Sequence, residues 1–318
     1  MKLKMKLLIY GMSTFVPGMN RFRRKGTGGT DSARYCYSVW LRHLVMAKRN
    51  GLNPYPKTVA ELGPGDSLGV GLAALISGCD KYFAFDVVEY ASAQRNAAIF
   101  DELVTLFKNR TPIPGEDEFP DLKPCLEEYD YPADILDETR LQHALETSRL
   151  ERIRDSISEL RRKHSLIQYK VPWYDASVLE QESVDMIYSQ AVLEHVDDLR
   201  RTYRAMRLWL KSTGYISHTI DFKCHETADE WNGHWVYSDF MWRLMRGKRT
   251  WFINREPHST HISILTQEGF KVVCDKKSNA ESRLTIDQFA PRFKSVSDDD
   301  LITSEAFILG VKRTESNA

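Results

Sequence analysis

The sequence predicts an α/β fold, a doubly wound and mostly parallel sheet, on three observations. An apolar run ending at Leu62 enters a glycine-rich turn and then a helix of small residues, "VAELGPGDSLGVG" at 59–71. A second apolar run, Tyr82 to Phe85, ends on an acid, Asp86. Further on, apolar runs keep alternating with amphipathic stretches, and strands linked through helices run parallel. Two additions are expected: an N-terminal helical extension and a helical insertion after the second strand.

Residues 1–50 form the extension. Its start, "MKLKMKLLIYGMST", places Lys2, Lys4 and Lys6 ahead of a short apolar run. That run is too brief for an ordinary signal peptide, and Arg21, Arg23, Arg24 and Lys25 follow without a clear small-residue cleavage site. It reads as a helix or strand, with a surface-bound amphipathic segment left open. After the "GTGGT" hinge, residues 32–49 are helical, with Trp40, Leu41, Leu44 and Val45 at core spacing. Arg34, Tyr35 and Tyr37 at its start either fold over a cofactor or pack and solvate.

Residues 51–318 form the main domain. Thr58 to Leu62 is the first strand, and Gly63, Gly65 and Gly69 occupy the turn into a helix over 68–76. Glycine there permits positive φ and close approach of a ligand to backbone. Glu61 and Asp66 would repel a pyrophosphate, and the turn lacks the Lys-Ser/Thr ending of a P-loop. A ligand with a cationic end fits better. Asp86, about twenty residues beyond the turn, stands where an acid meets a ribose diol in such a sheet, or else caps the next segment.

The insertion, at about 101–165, opens with the Pro- and acid-rich "TPIPGEDEFPDLKP" and continues as a helix striped by Leu141, Leu145, Leu150, Ile153, Ile157 and Leu160. It docks on the core, pairs with a second subunit or acts as a lid. "LIQYKVPWYDAS" and "VDMIYS" supply two more strands, followed by an amphipathic helix that Gly214 is expected to end as its C′ residue. "YISHTI" is the next strand. A cap at about 223–260 is rich in Trp, His and Arg, and "HISILTQEGFKVVCD" closes the domain as helix, turn and strand.

The charge balance is even, with 44 basic and 44 acidic residues, so no global field favours nucleic acid or an anionic membrane. No RNA-binding module is recognisable. Five cysteines without a CxxC pair point to a reduced, cytoplasmic setting. No stretch is long enough to span a bilayer. Contact with the inner face of a membrane and a homo-oligomer both stay open.

Taken together, Glu61-Leu62-Gly63-Pro64-Gly65 with Gly69, then Asp86, then "YDAS" with Asp175, then "VDMIYSQAVLEHV" at 184–196 and "LKSTGY" at 210–215 resemble the class I S-adenosylmethionine-dependent methyltransferases over roughly residues 55–275. The resemblance implies a Rossmann-like domain and S-adenosylmethionine as cofactor. It implies methionine near Glu61, Gly63 and Gly65, ribose on Asp86, and adenine near Asp175 and Ala176. Asp66, Gly69 and Ser189 complete the expected cofactor set. "GTGGTDSARYCYSVWLRHL" at 26–44 and "SHTIDFKCHE" at 217–226 also look like bacterial methyltransferases that accompany surface-polysaccharide biosynthesis.

The acceptor must meet the cofactor above the carboxyl ends of the strands. A hydroxyl acceptor profits from a general base, and His195, His218 and His225 map there with Asp221 as an orienting acid. Each has a plainer reading: His195 shapes a pocket, and His218 is a buried core histidine. His218, Asp221 and His225 as a metal site is a further alternative, although no metal is expected. Trp231 belongs to an aromatic acceptor wall over 231–255, and Arg255 and His258, beside the last helix, are the expected anion contacts. The function expected is O-methylation of a sugar hydroxyl in a bacterial surface glycan or its precursor. A quinone or lipid acceptor is the alternative enzyme reading, and a non-catalytic cofactor-binding scaffold the alternative from another class.

Overall fold

The computed structural model describes residues 5–16, 29–160, 165–173, 175–249 and 252–313. Trp251 of the expected aromatic wall, and Lys2, Lys4, Arg21, Arg23, Arg24 and Lys25 of the N-terminal segment, lie outside the described residues.

In chain order, α1 (Met5–Ser13) and α2 (Ala33–Arg49) precede β1 (Thr58–Leu62), α3 (Gly69–Ile76), β2 (Lys81–Phe85) and α4 (Ala93–Lys108). The insertion carries α5 (Glu138–Ala144) and α6 (Thr147–Ser158), and β3 (Ile167–Lys170) follows it. Then come β4 (Val184–Gln190), α7 (Leu199–Trp209), β5 (Leu210–Asp221), α8 (Asp239–Arg246), α9 (His258–Gln267), β6 (Phe270–Asn279) and β7 (Thr303–Lys312). The sheet runs β3-β2-β1-β4-β5-β7-β6. The pairs β1–β2, β1–β4, β2–β3 and β4–β5 are parallel, while β7 is antiparallel to both β5 and β6. The doubly wound, Rossmann-like expectation is met.

Side chains alternate between the two faces of a strand. Val59, Tyr82, Ala84, Met186 and Tyr188 pack with α2, α3 and α4 on one face. Ala60, Leu62, Phe83, Phe85 and Ile187 pack with α7 and α9 on the other. Strand order reverses between β1 and β4, and in open α/β sheets the crevice at such a switch is where ligands bind. The glycine turn after β1 and the segment after β4 meet there.

Three expectations need correction. The seventh strand was not anticipated: β6 does not close the domain, because β7 inserts between it and β5. Gly214 is not a helix C′ residue, since α7 ends at Trp209 and Gly214 lies inside β5. The register of β4 on β5 shifts between Val184 and Met186, which accommodates this early strand start. The striped insertion helix breaks into α5 and α6, with Leu145 as the C-cap of the first. The N-terminal run takes the helical one of its two readings, and α1 packs on α8 through Leu7 and Leu8.

The insertion docks on the core. Arg149 of α6 donates to the carbonyls of Leu75 and Cys79, and Ile153 and Ile157 join the α2–α3–α4 core. Its Pro-rich loop reaches the carboxyl edge of the sheet, where the Lys123 carbonyl accepts from Gln190 Nε2 at 3.3 Å and Thr219 Oγ1 at 3.2 Å. Fully buried Arg42 pins that loop through the carbonyls of Pro114, Leu122 and Pro124. No helix is long and apolar enough to cross a membrane among the described residues.

Candidate active site

The turn after β1 requires its glycines. Gly63 and Gly65 have φ of 63° and 73°, a left-handed conformation that other residues adopt only under strain. A Cβ on Gly63 would also stand 2.6 Å from Val192 Cγ2. The Gly63 amide donates to the Phe85 carbonyl at 2.8 Å, which ties the turn to the end of β2. Asp86 sits at that end, buried, with Oδ1 accepting from the Val87 and Val88 amides at 2.7 and 3.2 Å. Burial raises its pKa, partly offset by the amides of Val88, Val87 and Gly65. Asp86 therefore caps its own turn and also reaches the glycine loop.

The start of α3 is no anion site. The Leu68 amide donates to Asn96 Oδ1 and the Gly69 amide to Ser67 Oγ, both at 3.0 Å. The amides of Asp66 and Ser67 donate to Thr30 Oγ1. The amides of Leu68 and Gly69 belong to the helix start, where free amides would hold a phosphate, and those of Asp66 and Ser67 to the loop before it. Thr30 thus lies over the glycine loop, while Tyr37 is buried with its hydroxyl on the Thr111 carbonyl and Arg34 pairs with Glu118. Of Arg34, Tyr35 and Tyr37, Tyr35 approaches the loop's cover, with its ring against Gly29.

Several expected cofactor residues take other roles. Glu61 does not open on the mouth of the turn. It faces α3, 3% exposed, and accepts hydrogen bonds from Tyr82 at 2.5 Å and Tyr188 at 3.2 Å. Burial pushes its pKa up to about 7 despite those donors. Gly69 answers packing, since a Cβ there would meet Cys36 Sγ at 2.4 Å. Ser189 is buried against His218, Oγ to Nδ1 at 2.8 Å, away from the crevice. Asp66 stays within the loop, with its carbonyl held by Arg95. Asp175 is exposed and caps a short turn through the Ser177 amide and hydroxyl, which lower its pKa. Ala176 follows it, its carbonyl accepting from Trp209 Nε1 at 2.7 Å.

On the acceptor side the structure divides the expected residues. His218 is fully buried, and burial, with His43 and His261 nearby, drives its pKa down to about 3. It is a core residue and no base. Arg255 is 3% exposed, donates to the carbonyls of His234 and Tyr237, pairs with Asp239, and stacks on Trp242 and Phe293. Burial lowers its pKa to about 10. His258 is buried and held by Asp275 at 2.9 Å. Both hold the cap together and offer no anion contact. Among the described tryptophans of the aromatic wall, Trp235 and Trp242 are buried in two small clusters, and Trp231 stays partly exposed.

His195, Asp221 and His225 do come together. His225 Nε2 lies 3.2 Å from Asp221 Oδ2, and the His195 and His225 rings meet edge to face at 5.1 Å. Burial acts to raise the Asp221 pKa, but the His225 hydrogen bond and Lys223 outweigh it and hold it below the usual range. Glu194, which the sequence reading quoted without a role, joins them. It is buried beside His195, and neither carboxylate oxygen makes a hydrogen bond. Asn254 clamps the turn that carries both, donating from Nδ2 to the carbonyls of Leu193 and Val196 and from its amide to the Glu194 carbonyl. Backbone strain concentrates here: Ala191, His225 and Glu226 have φ of 52°, 45° and 63°, a pattern that marks functional sites. The recess lined by Lys57, Asp80, Arg140 and Arg149 opens at the amino ends of β1 and β2, the opposite end of the sheet.

A methyltransferase-domain family model matches residues 144–217, from the insertion through β3 and β4 into β5. No curated protein matches the chain. Similar solved structures include a Listeria monocytogenes protein described provisionally as an S-adenosylmethionine-dependent methyltransferase, at 13% identity and TM-score 0.40, covering 86% of this chain and 99% of that one. Another is an S-adenosylmethionine-dependent methyltransferase from Mesorhizobium loti, at 12% identity and TM-score 0.37, covering 81% and 91%. A third is phosphoethanolamine N-methyltransferase 2 of Haemonchus contortus in complex with S-adenosylmethionine, at 13% identity and TM-score 0.41, covering 89% of this chain and 58% of that one. The family match is to a methyltransferase domain, is confined to residues 144–217, and leaves the acceptor unassigned.

Proposed function

We propose that this chain transfers the methyl group of S-adenosylmethionine to a sugar hydroxyl of a bacterial surface glycan or of its precursor. One observation carries the reading: the glycine turn tied to Asp86 and the Asp221–His225 pair stand at the same carboxyl edge of the sheet, β1 and β2 on one side of β4 and β5 on the other. Gly63, Gly65 and Asp86 hold the methionine and ribose parts, and Asp175 with Ala176 borders the adenine. The acceptor oxygen attacks the methyl carbon; a C–O bond forms as the C–S bond breaks, and the electron pair stays on sulfur. The hydroxyl proton passes to the polar cluster around His225, which is open to solvent. Trp231 lies on the same loop as His225, its carbonyl bonded to the Cys224 amide, and offers a ring for a sugar to stack on.

Replacing Gly65 by valine forces a β-branched residue into φ of 73° and should abolish S-adenosylmethionine binding in calorimetry while the circular dichroism spectrum is kept. Asp86→Ala should weaken the cofactor by about 1–3 kcal/mol, the range for a hydrogen bond to a charged group. Unchanged affinity in both variants would remove this crevice from the assignment. Mass spectrometry of glycans from cells with and without the gene tests the acceptor. Loss of one methyl group from a sugar supports the proposal; a changed quinone or lipid with intact glycan replaces it, and unchanged methylation with cofactor still bound leaves a scaffold.

A further inference from the structure

We propose that Glu194, His195 and His225 hold one divalent first-row metal ion, with zinc as the reference ion, on the acceptor side of the crevice. Each offers one ligand atom, and these atoms all lie within 4.8 Å of one another. In a tetrahedral site with bonds of about 2.0–2.1 Å, ligand atoms stand roughly 3.3 Å apart. Small side-chain rotations therefore close the set around an ion.

The buried carboxylate is the second observation. Both Glu194 oxygens lack a hydrogen-bond partner although the residue is only 3% exposed. An unsatisfied buried carboxylate is costly, and coordination to a cation is one of the few arrangements that offsets the cost. Two imidazoles and one carboxylate suit a first-row transition ion better than magnesium or calcium, which prefer oxygen ligands. Three protein ligands also leave positions open for an acceptor oxygen, as in catalytic sites.

The surroundings agree. Asp221 bonds His225 Nε2 and so leaves Nδ1 for the ion, the carboxylate–histidine–metal arrangement that fixes tautomer and ring orientation. Asn254 fixes the backbone that presents Glu194 and His195. The left-handed backbone at His225 and Glu226 turns the third ligand toward the other two. The ligand set differs from the one the sequence suggested: His218 is committed to Ser189 in the core and Asp221 to His225, and Glu194 and His195 take their places.

The inference concerns the same crevice as the proposed function, but its test does not depend on methyl transfer. Chelator-treated protein is titrated with Zn²⁺ in a calorimeter and with Co²⁺ by visible absorption, and S-adenosylmethionine affinity is measured on the same samples. One ion per chain is expected, with Co²⁺ ligand-field bands of a nitrogen- and oxygen-ligated site. His225→Ala, at a partly exposed position where folding is not at stake, and Glu194→Gln should each lose the Co²⁺ bands. Asp221→Asn should weaken the ion about 10–100-fold, the usual cost of losing an outer-sphere partner. His143→Ala, an exposed histidine of α5, should bind as wild type. Absence of a stoichiometric ion, or undiminished binding in His225→Ala, overturns the site. Ion binding without S-adenosylmethionine binding would sink the methyltransferase reading and leave this one standing.

Discussion

Glu61 shows how one residue can be legible in place and misleading in purpose. The sequence places it at the end of β1, beside a turn that admits a cofactor, and its charge there reads as complementary to a cationic ligand. Strand alternation decides otherwise, because the residue shares the face of Val59 and points under α3 toward two tyrosine hydroxyls. Its pKa rises in the fold from 4.5 to about 7. A raised folded value means the native state binds the proton more tightly than the unfolded chain. The stability this group contributes is thus complete below about pH 4.5, declines as pH rises through 7, and is gone above it. The swing is about 3 kcal/mol from the shift alone. Glu61→Gln keeps an acceptor for the tyrosines and cannot ionise, so urea unfolding of the variant should lack this decline between about pH 4.5 and pH 7. Parallel slopes in the two proteins would mean that Glu61 is already ionised in the fold.

At the scale of elements, α1 and α8 form a small unit fastened at one close approach. A Cβ on Gly11 would fall 2.1 Å from the Leu244 carbonyl oxygen and 2.2 Å from that of Met245. Gly11→Leu should therefore undock α1. Limited proteolysis should cut near the start of the variant first, while the melting temperature of the main domain shifts little, since α1 adds nothing to the two sheet cores. Wild-type cleavage kinetics in the variant would contradict the packing. The glycine turn was readable because it is local, one strand, one turn and one helix in a row. The acceptor half was not. Glu194 and His195 meet His225 only through the pairing of β4 with β5, and Arg255 and His258 look like surface ligands until Asp239 and Asp275 are seen to hold them. Partners distant in sequence leave no trace in spacing.

For the whole molecule, the glycine turn, the acid after the second apolar run and the alternating elements pointed to a doubly wound α/β sheet, and that much held. What escaped was the last strand, whose apolar run follows a polar stretch of three-ten turns that reads as a tail. Its position has a temporal consequence. β7 pairs with β5 along Tyr215–Asp221 and with β6 along Phe270–Asn279, so β6 has no partner strand until β7 arrives. During synthesis the nascent chain must carry Ile216, Ile220 and Phe270 without their final cover, and the sheet closes only when residues 303–312 leave the ribosome. Non-local pairing of this sort delays folding and exposes strand edges to aggregation. A chain stopped before Thr303 should stay protease-sensitive across β5 and β6 and collect with chaperones, and a peptide of residues 303–312 supplied separately should restore protection to both. Protease resistance of β5 and β6 thus reports on a single strand, β7, that is made after both.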